Sequence, residues 1–264
     1  MQTILSLCDR IYKTQQCCHD DGRKCYCYDC LHAGFFSPTQ DTYDCYKKLC
    51  FYVMNYGPAY ASEIYHYLSE SQILENNFNR RKSLSVISLG CGFSPDLIAL
   101  KKYIRDRNLS IKLHYLGLDN APLWSNLRNR YSCARYSVCD VLSGFDLSRF
   151  DLVFVNKLFS TLKKNKDDKN FLSILVQQVK TNLQAGSFLV FCDINHRDMG
   201  RDQFDLSVKG FFKVKNYYYF PVEKPYTGHY SPISHIGNVF QIPRGLTVLP
   251  KPDVTKAVIF EYRK

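Results

Sequence analysis

Val86-Ile87-Ser88-Leu89-Gly90-Cys91-Gly92-Phe93-Ser94-Pro95-Asp96 is the stretch around which the chain is organised. It reads as a strand, a tight glycine turn and the first turn of a helix. Val86, Ile87 and Leu89 are apolar and two of them are β-branched, as a strand covered on both faces requires. Gly90 and Gly92 permit a sharp turn and leave room for a ligand to approach the main chain. Ser94 can cap the next helix, and Pro95 suits its first position, where no amide hydrogen is needed. Leu97, Ile98, Leu100 and Ile104 then recur at helical spacing. Such a unit opens a nucleotide-type pocket in α/β folds. A dinucleotide fingerprint would place a third glycine where Pro95 stands, and a P-loop would need Gly-Lys-Ser/Thr after four spacers. Neither is present.

A length of 264 residues predicts one large domain, or one domain with an appendage. The net charge of +11 is uneven: residues 1–80 carry −2 and residues 81–264 carry +13. A basic domain attracts polyanions, so nucleic acid is the expected partner class. No stretch approaches the roughly 18 apolar residues of a spanning helix, and residues 1–10 do not read as a secretory signal. A cytoplasmic protein without membrane contact is the expectation.

Eight of the 12 cysteines fall between Cys8 and Cys50. Without a secretory signal, such a cluster points to metal rather than disulfides. Cys27-x-x-Cys30 has the knuckle spacing that lets two thiolates hold one tetrahedral ion. Cys18, Cys25 and Cys45 are the further candidate ligands of a structural zinc ion, which would staple a segment lacking a core of its own. The segment is acidic, so a protein partner is the other use open to it. The remaining cysteines, Cys91, Cys133, Cys139 and Cys192, read as small buried residues.

Residues 43–75 read as two helices split at Asn55-Tyr56-Gly57-Pro58, forming with residues 1–42 a cysteine-rich helical cap over 1–80. After the glycine turn, Ile111–Leu118 reads as a second strand ending in Gly117-Leu118-Asp119-Asn120. An acid there can accept both hydroxyls of a ribose. Pro122 opens a further helix containing Trp124. Tyr136–Cys139 is a short third strand followed by Asp140-Val141. Phe150-Asp151-Leu152-Val153-Phe154-Val155-Asn156 is a fourth, almost wholly apolar. Phe188–Ile194 is a fifth, and the loop Asn195-His196-Arg197-Asp198 lies at its carboxyl end. Phe211–Phe220 and Ala257–Tyr262 are the last two. The proline-rich insertion at 221–256 separates them, and its His229, His235, Tyr226 and Tyr230 are either a substrate lid or an exposed insertion.

Leu89-Gly90-Cys91-Gly92, Asp119, Asp140 and the Phe150–Asn156 run, in this order and spacing, resemble the motifs of the class I S-adenosylmethionine-dependent methyltransferases. The resemblance spans about residues 84–264. It implies an α/β, Rossmann-like three-layer fold over 81–264, with a mostly parallel seven-stranded sheet and an antiparallel edge strand. It also implies a methyl donor, S-adenosyl-L-methionine, held by Leu89, Gly90, Cys91, Gly92, Phe93, Asp119, Asn120, Asp140, Val141 and Asn156. In that family the loop lies along the methionine part, the acid after the second strand takes the ribose and the acid after the third takes the adenine. Asn156 is the candidate for orienting the methyl acceptor and His196 the candidate base. Amino-methylating DNA enzymes carry Asn/Asp-Pro-Pro-Tyr/Phe at Asn156–Phe159; here both prolines are absent. With the charge, the resemblance implies a nucleic-acid methyltransferase acting on RNA. The alternatives are a protein or small-molecule acceptor, or a non-catalytic, zinc-containing interaction protein.

Overall fold

The computed structural model describes residues 1–16, 27–36, 43–81, 83–221 and 229–264. Four helices come first: α1 (Gln2–Thr14), α2 (Cys27–Phe36), α3 (Tyr46–Ser71) and α4 (Ile73–Phe78). The sheet then begins with β1 (Ser83–Leu89), followed by α5 (Pro95–Asp106), β2 (Lys112–Asp119), β3 (Ala134–Val138) and β4 (Leu152–Asn156). Next come α6 (Phe159–Asn165), α7 (Asp168–Thr181), β5 (Phe188–Ile194) and α8 (Arg201–Val208). The chain closes with β6 (Val214–Tyr219), the two-residue β7 (Ser231–Pro232) and β8 (Ala257–Arg263).

The strands form one sheet in the order β3-β2-β1-β4-β5-β8-β6-β7. Strands β1 to β5 pair in parallel, and β8 runs antiparallel between β5 and β6. This is a Rossmann-like, mostly parallel α/β fold with helices on both faces of the sheet. It departs from expectation in two details: the antiparallel strand sits inside the sheet rather than at its edge, and β7 adds an eighth strand.

Parallel strands are buried on both faces, and β4 shows it, with every residue from Leu152 to Asn156 buried. One face packs against α3, α4 and α5 through Tyr67, Leu74, Phe78, Leu100 and Tyr103. The other packs against α6, α7 and α8 through Phe159, Phe171, Leu175 and Phe204. A third cluster joins α1 and the first half of α3 to Phe93, Trp124 and Val248. Core packing therefore runs continuously across residue 80.

Two sequence expectations change here. The break expected at Asn55–Pro58 is absent, because α3 runs through Pro58 as one 26-residue helix. A proline inside a helix removes one backbone bond and usually breaks it. Here Pro58 is buried, as are Val53, Met54, Gly57, Ala59, Ala61 and Ser62 around it. Tertiary packing outweighs the local breaker. The helix expected after Pro122 is only a 3₁₀ turn, Pro122–Asn126. The described part of the insertion lies along the N-terminal helices instead of projecting into solvent. Asn55 donates to Leu249 O at 3.0 Å, Val239 N donates to Ser62 Oγ at 3.1 Å, and Thr247 N donates to Asp9 at 2.7 Å.

Candidate active site

A cleft opens where β1, β2, β3 and β4 end, as the parallel-sheet geometry dictates. Its floor is the glycine loop. Gly90 and Gly92 have φ of +64° and +51°, in the left-handed region that suits glycine. A Cβ on Gly90 would come within 2.6 Å of the Leu158 side chain, so the turn has no room for one. Gly90, Cys91, Gly92 and Phe93 all line the cleft. Leu89 does not; its side chain is fully buried in the core below.

Asp119 ends β2 and is 8% exposed. Its Oδ2 accepts from Gly92 N at 2.8 Å and its Oδ1 from Ala121 N at 2.9 Å. Each carboxylate oxygen keeps a further lone pair for a ligand. Desolvation raises its pKa, and the two backbone donors and Arg128 partly offset that. Asp140 caps a short 3₁₀ turn, accepting from Leu142 N at 2.9 Å, and it lines the cleft with Asn120 and Val141.

Asn156 closes β4. It is 7% exposed, lines the cleft, and neither its Oδ1 nor its Nδ2 has a hydrogen-bond partner among the described residues. A buried amide with both polar atoms unpaired is costly to fold, so the site is built for a group that pairs with it. Phe159, the other end of the compared DNA-enzyme pattern, points elsewhere: it is fully buried against Phe171 and Phe204.

His196 stands apart. It follows β5 as expected, but its side chain is 49% exposed, its Nδ1 accepts from Asp198 N, and it does not line the cleft. Cys27 and Cys45 are buried and Cys30 is half-buried, while Cys18 and Cys25 lie outside the described residues. Among the described residues no three His, Cys, Asp or Glu side chains converge as a metal site. His229, Tyr230 and His235 also stay out of the cleft lining, and Tyr226 is outside the described residues.

Three features of the site were not read from the sequence. Tyr52 and Tyr60 of α3 form one wall of the cleft, with Tyr43 and Trp124 beside them. The i, i+4, i+8 spacing of Tyr52, Tyr56 and Tyr60 was the available signal, and Tyr56 stacks on Tyr60 at 5.6 Å. Lys157, next to Asn156, adopts φ +55° and pairs with Glu63 of α3 at 2.8 Å. Its Nζ also lies 4.9 Å above the Tyr60 ring and 3.2 Å from Thr255 of the insertion. Burial pulls the ammonium pKa down, but Glu63, Cys192 and Asp193 together outweigh it, so Lys157 stays charged. Arg128, buried beside the loop, donates from Nε to Gly92 O at 2.7 Å and lies 4.5 Å over the Tyr136 ring. Cys91 is pushed well up by burial and remains a thiol rather than a nucleophile.

The sequence matches no protein-family model and none of the curated proteins. Among solved structures, the chain is similar to the N-methyltransferase NodS from Bradyrhizobium japonicum in complex with S-adenosyl-L-homocysteine. Identity is 12%, coverage is 76% of this chain and 87% of that one, and the TM-score is 0.45. It is similar to the plantazolicin methyltransferase BpumL over 99% of both chains, at 12% identity and TM-score 0.46. It is also similar to a TehB-like methyltransferase from Corynebacterium glutamicum, at 14% identity over 77% and 98% of the chains, TM-score 0.40.

Proposed function

We propose that this protein is an S-adenosylmethionine-dependent methyltransferase. The observation that carries the reading is the unpaired, buried Asn156 amide at the end of β4, facing the same cleft as the glycine turn and Asp119. When bound, the donor would supply an electrophilic methyl group on a sulfonium sulfur. The Gly90–Gly92 turn has the open main chain to lie along its methionine part. Asp119 has the free lone pairs to hold the ribose, and Asp140 with Val141 lines the place of the adenine. Asn156 Oδ1 can accept an N–H or O–H of the acceptor and so aim its lone pair at the methyl carbon, which is catalysis by positioning. Tyr52, Tyr60 and Trp124 wall the acceptor side and exclude water. As acceptor class we favour RNA, on the net charge of +13 over residues 81–264.

The test is transfer of label from methyl-tritiated S-adenosylmethionine into a fractionated cell extract, with Asp119→Ala as control. Ribonuclease-sensitive label, lost in the control, supports both the reaction and the acceptor. Label in protein or small molecules keeps the reaction and removes RNA. Absence of donor binding by calorimetry ends the reading.

A further inference from the structure

The molecule has a second concavity, of 1280 Å³, at the opposite edge of the sheet from the cleft. It forms where β1, β2 and β3 begin, about 20 Å from the glycine turn at the rise of a strand. Its origin is topological. Neither the β2–β3 nor the β3–β4 connection contains an α-helix; each holds only a 3₁₀ turn, Pro122–Asn126 and Val141–Ser143. A doubly wound sheet normally has such helices on its faces. Here the outer side chains of β2 and β3 are left uncovered, and Lys112, His114 and Arg135 are exposed.

The charge of this groove is of one sign. Lys101 and Arg105 of α5, Lys112, Arg135 and Arg149 line it, and no lining residue is acidic. Of the carboxylates beside it, Asp106 is shared by Lys102 at 2.7 Å and the groove's Arg105 at 3.4 Å, and Asp151 is paired with Arg81 at 2.5 Å. Lys112, Arg135 and Arg149 form no ion pair among the described residues, and Lys101 lies 4.5 Å over the Tyr131 ring. The cleft carries the opposite sign: Asp119, Asp140 and Asp167 line it, and its cation Lys157 is paired with Glu63. The unneutralised positive charge thus lies at the strand-start edge and not around the donor cleft.

We propose that this groove binds a nucleic-acid strand through its phosphates, as a tether separate from the cleft. A concave trough of long cationic side chains follows a phosphodiester chain. A bilayer would instead call for a flat face with apolar side chains to insert. The proposal extends the nucleic-acid reading above but does not depend on methyl transfer, because its readout is binding alone.

The experiment is fluorescence anisotropy of the full chain with a 20-nucleotide oligouridylate over a series of salt concentrations. Engagement of about four phosphates gives a slope of log K on log salt of about −3. The variant Lys112→Glu/Arg135→Glu/Arg149→Glu should lose roughly 30-fold in affinity at low salt, with a slope shallower by about 2. Lys169→Glu/Lys213→Glu/Lys215→Glu changes the net charge equally on other exposed surfaces and should lose less than about threefold. In the unaltered protein, the oligonucleotide should protect Lys101 and Lys112, but not Lys213, from acetylation. Equal losses in the two variants, no protection, or binding to phosphatidylserine vesicles without binding to the oligonucleotide would overturn the proposal.

Discussion

Two neighbouring residues at the end of β4 divide the chemistry of the cleft. Asn156 presents an unpaired amide, so its truncation removes a positioned partner of the acceptor while leaving the glycine turn intact. Asn156→Ala should lower turnover about a hundredfold, with affinity for S-adenosylhomocysteine nearly unchanged. Equal turnover in variant and parent would take Asn156 out of the mechanism. Lys157 is instead fully engaged, and its partner Glu63 is 0% exposed. Removing one member of a buried pair strands the other charge. Glu63→Gln should therefore destabilise the fold by about 3 kcal/mol in urea unfolding. Glu63→Gln/Lys157→Met should recover most of that loss, since it removes both charges together. A double variant as unstable as the single one would show that the cost comes from packing and not from charge.

At the scale of elements, the glycine turn is held from outside by Arg128. Its guanidinium ties Gly92 O and leans on Tyr136, and Asp119 ties Gly92 N from the other side. The turn is thus fixed before any ligand arrives, which lowers the ordering cost of binding. Arg128→Ala should weaken S-adenosylhomocysteine binding about tenfold by calorimetry, the worth of one charged hydrogen bond. Arg128→Lys should restore little, because an ammonium cannot both donate in plane and stack. Unchanged affinity in Arg128→Ala would mean that the turn holds its own shape. Arg128 also shows where sequence reading stops. The strands β1, β4 and β5 were legible because a strand covered on both faces must be an apolar run. The turn was legible because only glycine meets its φ, and Asp119 because strand order fixes the place of an acid after the second strand. Arg128, Tyr60 and the Lys157–Glu63 pair depend on contacts between distant parts of the chain, which no local pattern records. Pro58 misled for the same reason: the residues of α3 on both sides of it are buried against distant parts of the chain.

For the molecule as a whole, buried carboxylates set how stability responds to pH. Desolvation raises the pKa of Asp119, Asp193 and Glu261, and it raises Asp96 from 3.8 to about 6. Asp96 sits wholly buried at the start of α5, accepting from the Tyr115 hydroxyl at 3.1 Å. A carboxyl whose pKa is higher folded than unfolded adds stability at low pH, and that stability is lost as pH rises from the unfolded value through the folded one. Asp9, Asp106 and Asp168 have the opposite sign. Burial pushes them up, but several hydrogen bonds and charges together (Lys13 and Thr247 on Asp9, Lys102 and Tyr65 on Asp106, Gln203 and Lys163 on Asp168) outweigh it and hold them below the usual range. Their contribution is present above pH 3.8 and is lost below it. His66, lowered by burial, favours the fold above pH 6.5. Protonating the carboxylates also adds general repulsion to a chain already at +11. The absolute pH curve mixes all of these, whereas the difference between the parent and Asp96→Asn isolates one group. The amide keeps an acceptor for Tyr115 and cannot ionise. Between pH 4 and pH 7 that difference should move by about 2 kcal/mol in favour of the variant, most of it below pH 6.5. Urea midpoints at unit pH steps measure it. Parallel curves for the two proteins would mean that Asp96 ionises in the fold as easily as in water, and that its burial carries no electrostatic cost.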